Sequence, residues 1–315
     1  MATTILLLSV DEAPMLTHSL PAALAQADAE VVVVDNASSD ETPGLAARLG
    51  ARHLRLDKRL SYAAALNQAI AATTGEAVLL LNADCILEPS FLAVARPRLD
   101  EPRVGSIAPM LLRLASPGRP LGQLDTAGMV VDRRRKNGLV GHAEPAGSFS
   151  LPGEAFGADG AAALYRRETL EDCALGGREV LDEDMELWAS DADLAWRARL
   201  YGWRCLYEPR AIAHHIRSYS PTTRAQMSEA ARRMQFGNRY LMMIKNETGR
   251  GLARDGARIA GYEVLALGHV LLRERHLLGG YRDAARLAGA ARARRRLVQA
   301  RRRVAVPPFG LRAQR

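Results

Sequence analysis

The chain has no paired cysteines: Cys85, Cys173 and Cys205 lie far apart, with no C-x-x-C spacing. That excludes a disulfide framework and a cysteine-built zinc site, and it suits reduced thiols in a cytoplasmic protein. No apolar run approaches the roughly 18–20 residues of a membrane span. The longest, residues 259–272, is interrupted by Glu263 and His269. The opening MATTILLLSVDEAP lacks the basic region of a signal peptide and reads as a buried first strand. No glycine follows that strand until Gly44, so the Gly-rich phosphate loop of a sugar-phosphate nucleotidyltransferase is missing. No G-x-G-x-x-G follows a strand either, which disfavours a dinucleotide-binding oxidoreductase. No internal repeat is present.

What is there is a globular balance: 315 residues, 48% apolar and 25% charged. The net charge of +8 is uneven. Residues 251–315 hold 15 Arg against 4 acidic residues, a balance of +11, which leaves the first 250 residues at −3. The basic character therefore belongs to the tail, and nucleic acid is not an expected partner of the whole chain. Arg292, Arg294, Arg295, Arg296 and Arg301, Arg302 and Arg303 alternate with Leu287, Leu297, Val298 and Val304 along an expected helix. Two readings lead, a solvated terminal helix or a basic amphipathic surface resting on anionic lipid at the inner face of a membrane, with RNA binding a distant third.

Apolar β-prone runs at 4–10, 31–34 and 78–81 alternate with helical stretches at 45–49 and 63–72. This predicts βαβ units and a mostly parallel sheet, with ligands beyond the carboxyl ends of its strands. Asp35 and Asp84 stand at two such ends and are expected to face one crevice. Residues 114–155 read as irregular, 156–165 and 204–207 as strands, and 191–201 as a helix closed by Gly202. From about 221 to 304 the pattern is helical, before a Pro307-Pro308 stop.

Four segments carry candidate chemistry. VVVVDNASSDET (31–42) ends a strand with Asp35, a candidate nucleotide contact; Ser38 and Glu41 also have the spacing of a capping box. LLLNADCIL (79–87) sets Asn82 and Asp84 at a strand end, where a hard Mg²⁺ or Mn²⁺ could be shared between carboxylate and phosphates. A plain Asx turn has the same pattern. SDADLAWRARLYGW (190–203) puts Asp191 at a helix start, as a cap or as a general base. AIAHHIRSYS (211–220) offers His214 or His215 to the metal; neighbours on a strand point oppositely, so at most one of them fits.

Together with FGADGAAALYRRETLE (156–171), these segments resemble, in order, the inverting glycosyltransferases of family two, especially their rhamnosyltransferase-like branch. The resemblance spans roughly residues 3–245. It implies an α/β fold of the GT-A type, Rossmann-like with a mostly parallel sheet flanked by helices, over 1–222, and a helical, Arg-rich extension over 223–315. It implies a nucleotide-diphosphate sugar donor, a glycan or lipid-linked acceptor, and a divalent cation. By position, Asp35, Asn67, Asn82 and Asp84 would meet the donor, and Asp84 with His214 (His215 as the fallback) the metal. Gly160, Ala161 and Arg166 would border the acceptor, and Asp191 would be the base. Departures stand at Ser190, where an acidic residue is usual, at Arg59-Leu60-Ser61 before the Asn67 helix, and at Asp11-Glu12 after the first strand. Losing the acidic neighbour should lower the pKa of the base. These departures keep a catalytically silent nucleotide-sugar-binding or scaffold homologue in play beside the enzyme.

Overall fold

The structure, a computed structural model, describes residues 2–219 and 222–315. Ser220, which ends the last motif, and Pro221, where the helical region was expected to begin, lie outside them. The amino-terminal half alternates as expected: β1 (Thr3–Ser9), α1 (Ala13–Leu24), β2 (Ala29–Asp35), α2 (Thr42–Arg48), β3 (Arg52–Arg55), α3 (Tyr62–Ala71) and β4 (Ala77–Asn82). β3, β2, β1 and β4 are parallel neighbours in that order. Their apolar runs have no polar face because both sides are covered. Even-numbered Leu6, Leu8, Val32, Val34, Val78 and Leu80 pack with α3, while odd-numbered Ile5, Leu7, Val31, Val33, Leu79 and Leu81 pack with α1 and α2.

Beyond β4 come β5 (Cys85–Leu87), α4 (Phe91–Ala95) and β6 (Val104–Ser116), then β7 (Arg119–Thr126), β8 (Met129–Val131), β9 (Asn137–Leu139) and β10 (Gly153–Ala155). Residues 114–155 are thus hairpins and short strands, where an irregular stretch was expected. β11 (Ala162–Arg166) runs antiparallel to both β4 and β6 and leads into α5 (Arg167–Asp172). The strand expected over 156–165 is confined to the end of that range. α6 (Ser190–Leu200) closes at Gly202, whose φ of 83° suits a glycine there. β12 (Arg204–His215) lies parallel to β6 and is longer than the sequence suggested.

α7 (Glu229–Asn246), α8 (Gly249–Leu272) and α9 (Leu278–Arg301) complete the chain. Ser228 caps α7 and Thr248 caps α8, each accepting from the amide three residues on at 3.1 and 2.9 Å. The tail arginines are largely spent on the body of the protein. Arg294 pairs with Glu179 at 2.8 Å and with Asp184, Arg295 donates to the Glu247 carbonyl at 2.7 Å, and Arg303 meets Asp172 at 3.1 Å. After α9, Phe309 packs edge-on to Trp196 at 4.9 Å, and the Gly310 amide donates to Val131. Among the described residues no helix is long and apolar enough to cross a membrane.

Candidate active site

The strand order reverses direction between β1 and β4, the place where open α/β sheets bind ligands. Asp84 sits in the turn leaving β4, and β5 then pairs with the end of β12, setting His215 opposite Cys85 and His214 opposite Ile86. Strand alternation separates the two imidazoles. His214 Nε2 turns to Glu88 Oε1 at 3.0 Å, so the expected His214 ligand is on the wrong face. His215 Nε2 faces Asp84 Oδ1 at 3.2 Å, and its Nδ1 donates to Asp125 Oδ2 at 2.9 Å.

Asp84 Oδ1 is buried and makes no hydrogen bond of good geometry. The carboxylate on Nδ1 fixes that nitrogen as the donor, which turns Nε2 toward Asp84 as a second donor atom. This is how metal-binding histidines are usually oriented. Burial opposes the imidazolium, but Asp125 and Asp84 outweigh it and raise His215 to about 9. An orphaned carboxylate oxygen beside an oriented imidazole fits a hard divalent ion. Among the described residues no three His, Cys, Asp or Glu side chains form a closed cage, so other ligands would come from phosphates and water.

Arg217 joins this half to the other. Its Nε donates to both Asp125 oxygens at 2.9 Å, and its Nη2 donates to Asp159 Oδ2 at 2.8 Å. Asp159 in turn accepts from the Ala161 amide at 2.9 Å. Next door, the Gly160 amide donates to Asp191 Oδ2 at 3.2 Å, and Asp191 Oδ1 accepts from Ala192 at 2.7 Å. Gly160 must stay small: a Cβ there would come within 2.9 Å of the Tyr62 hydroxyl. Neither Ser190 nor Asp191 caps α6; that position is Ala189, left-handed at φ 64°. Burial, then repulsion by Asp159, pushes Asp191 up to about 6. Ser190 does remove the usual acidic neighbour, and Asp159 is the acidic group that acts on Asp191 here. Asp191, Asp159, Gly160, Ala161, Asn82 and Arg217 open on one cavity of about 740 Å³. Its far wall comes from α7, α8 and the β8–β9 hairpin.

The remaining expected residues divide. Asp35 ends β2 fully buried, accepting from the Ser38 amide at 2.7 Å, His53 at 3.0 Å and Arg55 at 2.6 Å. These contacts outweigh burial and lower its pKa. Ser38 forms no capping box; its hydroxyl accepts from Asp11 at 3.1 Å, and α2 starts later. Asn67 is committed to a structural contact. Its amide oxygen accepts from Val180 and Leu181, and its nitrogen donates to Leu181 and Glu183, so the side chain is used up pinning that loop. Arg166 is not on the acceptor side. Antiparallel β11 carries it to the far end of the sheet, opposite Ala77, where it donates to the carbonyls of Val104 and Leu99. Two departures meet: Arg59 pairs with Asp11, which takes a left-handed φ of 55°. Ser61 caps α3.

Asp125, Asp159 and Arg217 were not singled out from the sequence. Asp159 and Arg217 lie inside motifs that were quoted, four residues or fewer from assigned positions. Asp125 comes from the stretch read as irregular, and only the fold brings it to His215.

A model of glycosyl transferase family 2 matches residues 4–174, more than half of the chain. A TPR repeat-containing protein of Synechococcus elongatus is 41% identical over 92 residues, covering 29% of this chain. Uncharacterized protein y4gI of Sinorhizobium fredii is 28% identical over 212 residues, covering 61% of it. The chain spans only 23% and 21% of these two relatives. Among solved structures, a mannosyltransferase of Pyrobaculum calidifontis in complex with GDP-Man and Mn²⁺ aligns over 95% of this chain and 78% of its own, at TM-score 0.55 and 21% identity. GalNAc-T7 with UDP, GalNAc and Mn²⁺ aligns over 78% and 48%, at 0.61 and 16%. Residues 1–349 of TarS from S. aureus align over 95% and 90%, at 0.57 and 15%. By family match and by fold, the chain belongs to glycosyl transferase family 2, with a GT-A sheet and a helical carboxyl-terminal region.

Proposed function

We propose that the protein transfers a hexosyl or rhamnosyl group from a nucleotide-diphosphate sugar to an acceptor hydroxyl, with inversion, in the synthesis of a cell-surface polysaccharide or glycolipid. The observation that carries this reading is the continuous chain Asp84–His215–Asp125–Arg217–Asp159, which ends one residue from the Gly160 amide on Asp191. It links a candidate cation site to a candidate base that lines the cavity. Four carboxylates face two cationic side chains there, an imbalance a divalent ion would correct. A bound Mg²⁺ or Mn²⁺ would offset charge growing on the departing diphosphate.

In this reading Asp191, near pKa 6, is mostly ionised at neutral pH and takes the acceptor proton as the oxygen attacks the anomeric carbon. One base and one displacement give inversion. The Gly160 amide aims the carboxylate, and the cavity walls exclude bulk water from the attacking oxygen. Asp84 and His215 hold the diphosphate end in register, and Asp35 acts with Arg55 near the nucleoside.

Asp191→Asn is expected to lower turnover by ~10²–10⁴ while donor binding persists; wild-type rates would remove Asp191 from the mechanism. Asp84→Ala is expected to weaken UDP or dTDP binding in Mn²⁺, read by titration. The silent-scaffold reading draws support from Asn67 and Arg59, both committed to structural contacts. Slow Mn²⁺-stimulated hydrolysis of a nucleotide sugar decides for the enzyme, and tight binding without turnover on any donor decides for the scaffold.

A further inference from the structure

The apolar face of a helix is normally turned toward the core. α8 leaves one such face outside. Its inner face seats Ile259 and Val270, yet on its outer face Val264 is 71%, Leu265 74% and Leu272 81% exposed, with Leu271 beside them. Gly261, Val264, Leu265, Gly268, Leu271 and Leu272 follow the i, i+3, i+4, i+7 rhythm of a single stripe, undiluted by charge.

Two further observations say what covers it. Leu265 and His269 also line the 740 Å³ cavity, as do Leu187 and Tyr219, 49% and 42% exposed. The apolar stripe is thus continuous with the rim of the candidate active site. At both ends of the stripe the charge is positive: exposed Arg258 precedes it, beside Arg254, which pairs with Asp255 at 2.8 Å, and exposed Arg273 and Arg275 follow it. Residues 251–315 carry +11 in all. Pairing two copies through this face would press two such segments together, whereas an anionic surface complements them.

We infer that the outer face of α8 docks on an anionic lipid bilayer, its leucines at the acyl boundary and its arginines on the headgroups, so that the cavity opens toward an acceptor carried in that bilayer. Such interfacial helices combine apolar burial with attraction to anionic lipid. The assignment falls on α8; α9 spends Arg294 and Arg295 on internal contacts. The clause about the acceptor rests on the transferase reading; the docking itself does not.

Flotation of the full chain with phosphatidylcholine vesicles, with and without phosphatidylglycerol, tests the inference. The wild type is expected to float with the anionic vesicles, less with the neutral ones, and less again as salt rises. Val264→Ser, Leu271→Ser and Leu272→Ser combined should cut anionic binding at least about tenfold. These side chains are exposed, so the far-UV circular dichroism and the melting curve should stay as in the wild type. A wild type that stays with the soluble fraction at low salt overturns the inference. So does a combined variant that floats as well as the wild type. Loss of binding on Arg292→Glu with Arg296→Glu, while the α8 variant still binds, overturns it in favour of α9. A wild-type dimer in light scattering that the α8 variant converts to monomer, with no flotation by either, shows that a second copy covers the face. Each of these results leaves the Asp191 assay untouched, so the two readings fail separately.

Discussion

The two halves of the site have raised pKa values for opposite reasons. At His215 burial works against the charged form, and Asp125 and Asp84 overcome it. At Asp191 burial and the neighbouring Asp159 work together against the charged form. One group is a cation held by anions; the other is an anion crowded by an anion. A divalent charge at Asp84 would relieve both, displacing the proton on His215 and easing Asp191 toward its ionised state.

Substitutions that separate the halves should differ in kind. The largest effect is the loss of turnover on Asp191→Asn, with donor affinity retained. Asp125→Asn comes next. It leaves Asp84 and His215 in place but removes the carboxylate that orients the imidazole, and a lost orienting partner typically costs 10–100-fold in metal affinity. Calorimetric titration of UDP with Mn²⁺ should show that loss, while titration without Mn²⁺ changes little. Equal loss in both titrations would mean that Asp125 merely supports the fold. Asp159→Asn should act on the base half. Removing the like charge lowers the Asp191 pKa, so the acid limb of the pH–kcat/KM profile, expected near pH 6, should move downward. An unmoved or rising limb would break the proposed link between the two carboxylates.

The contrast also explains what the sequence could disclose. The places of Asp84 after a strand and of Asp191 at a helix start were legible because local pattern fixes them: an apolar strand must stop before a polar turn, and a helix must start after one. The histidine pair was half legible. Alternation says that the two point apart, but the choice of His215 depends on β5 pairing with β12, a contact across more than 120 residues. Arg166 was misplaced because β11 enters the sheet antiparallel, and strand direction is set by topology and not by composition. Asn67 was misread because the rotation of α3 is fixed by the loop at 180–183, which takes all of its hydrogen bonds. In the tail, the apolar run at 259–272 was visible in the sequence. That its outer stripe stays bare, while α9 turns arginines inward, is a matter of packing.

The smallest expected effect is on stability, and it separates the halves by pH. The Asp191 carboxyl is raised from 3.8 to about 6 in the folded chain, so its ionised form burdens the native state. That burden is absent below the unfolded value of 3.8, grows through the interval, and is complete above about pH 6. Asp191→Asn removes it, so the variant should be more stable than the wild type by about 1–3 kcal/mol at pH 8 and indistinguishable from it near pH 4. His215 works in another window. Its raised pKa stabilises the native state fully below 6.5, and that contribution fades as pH rises through about 9. Melting curves without metal should then show wild type and variant declining in parallel above pH 6.5 and diverging only between about 4 and 6. A gap of the same size at pH 4 and pH 8 would point to packing at Asp191, because ionisation alone makes the gap depend on pH.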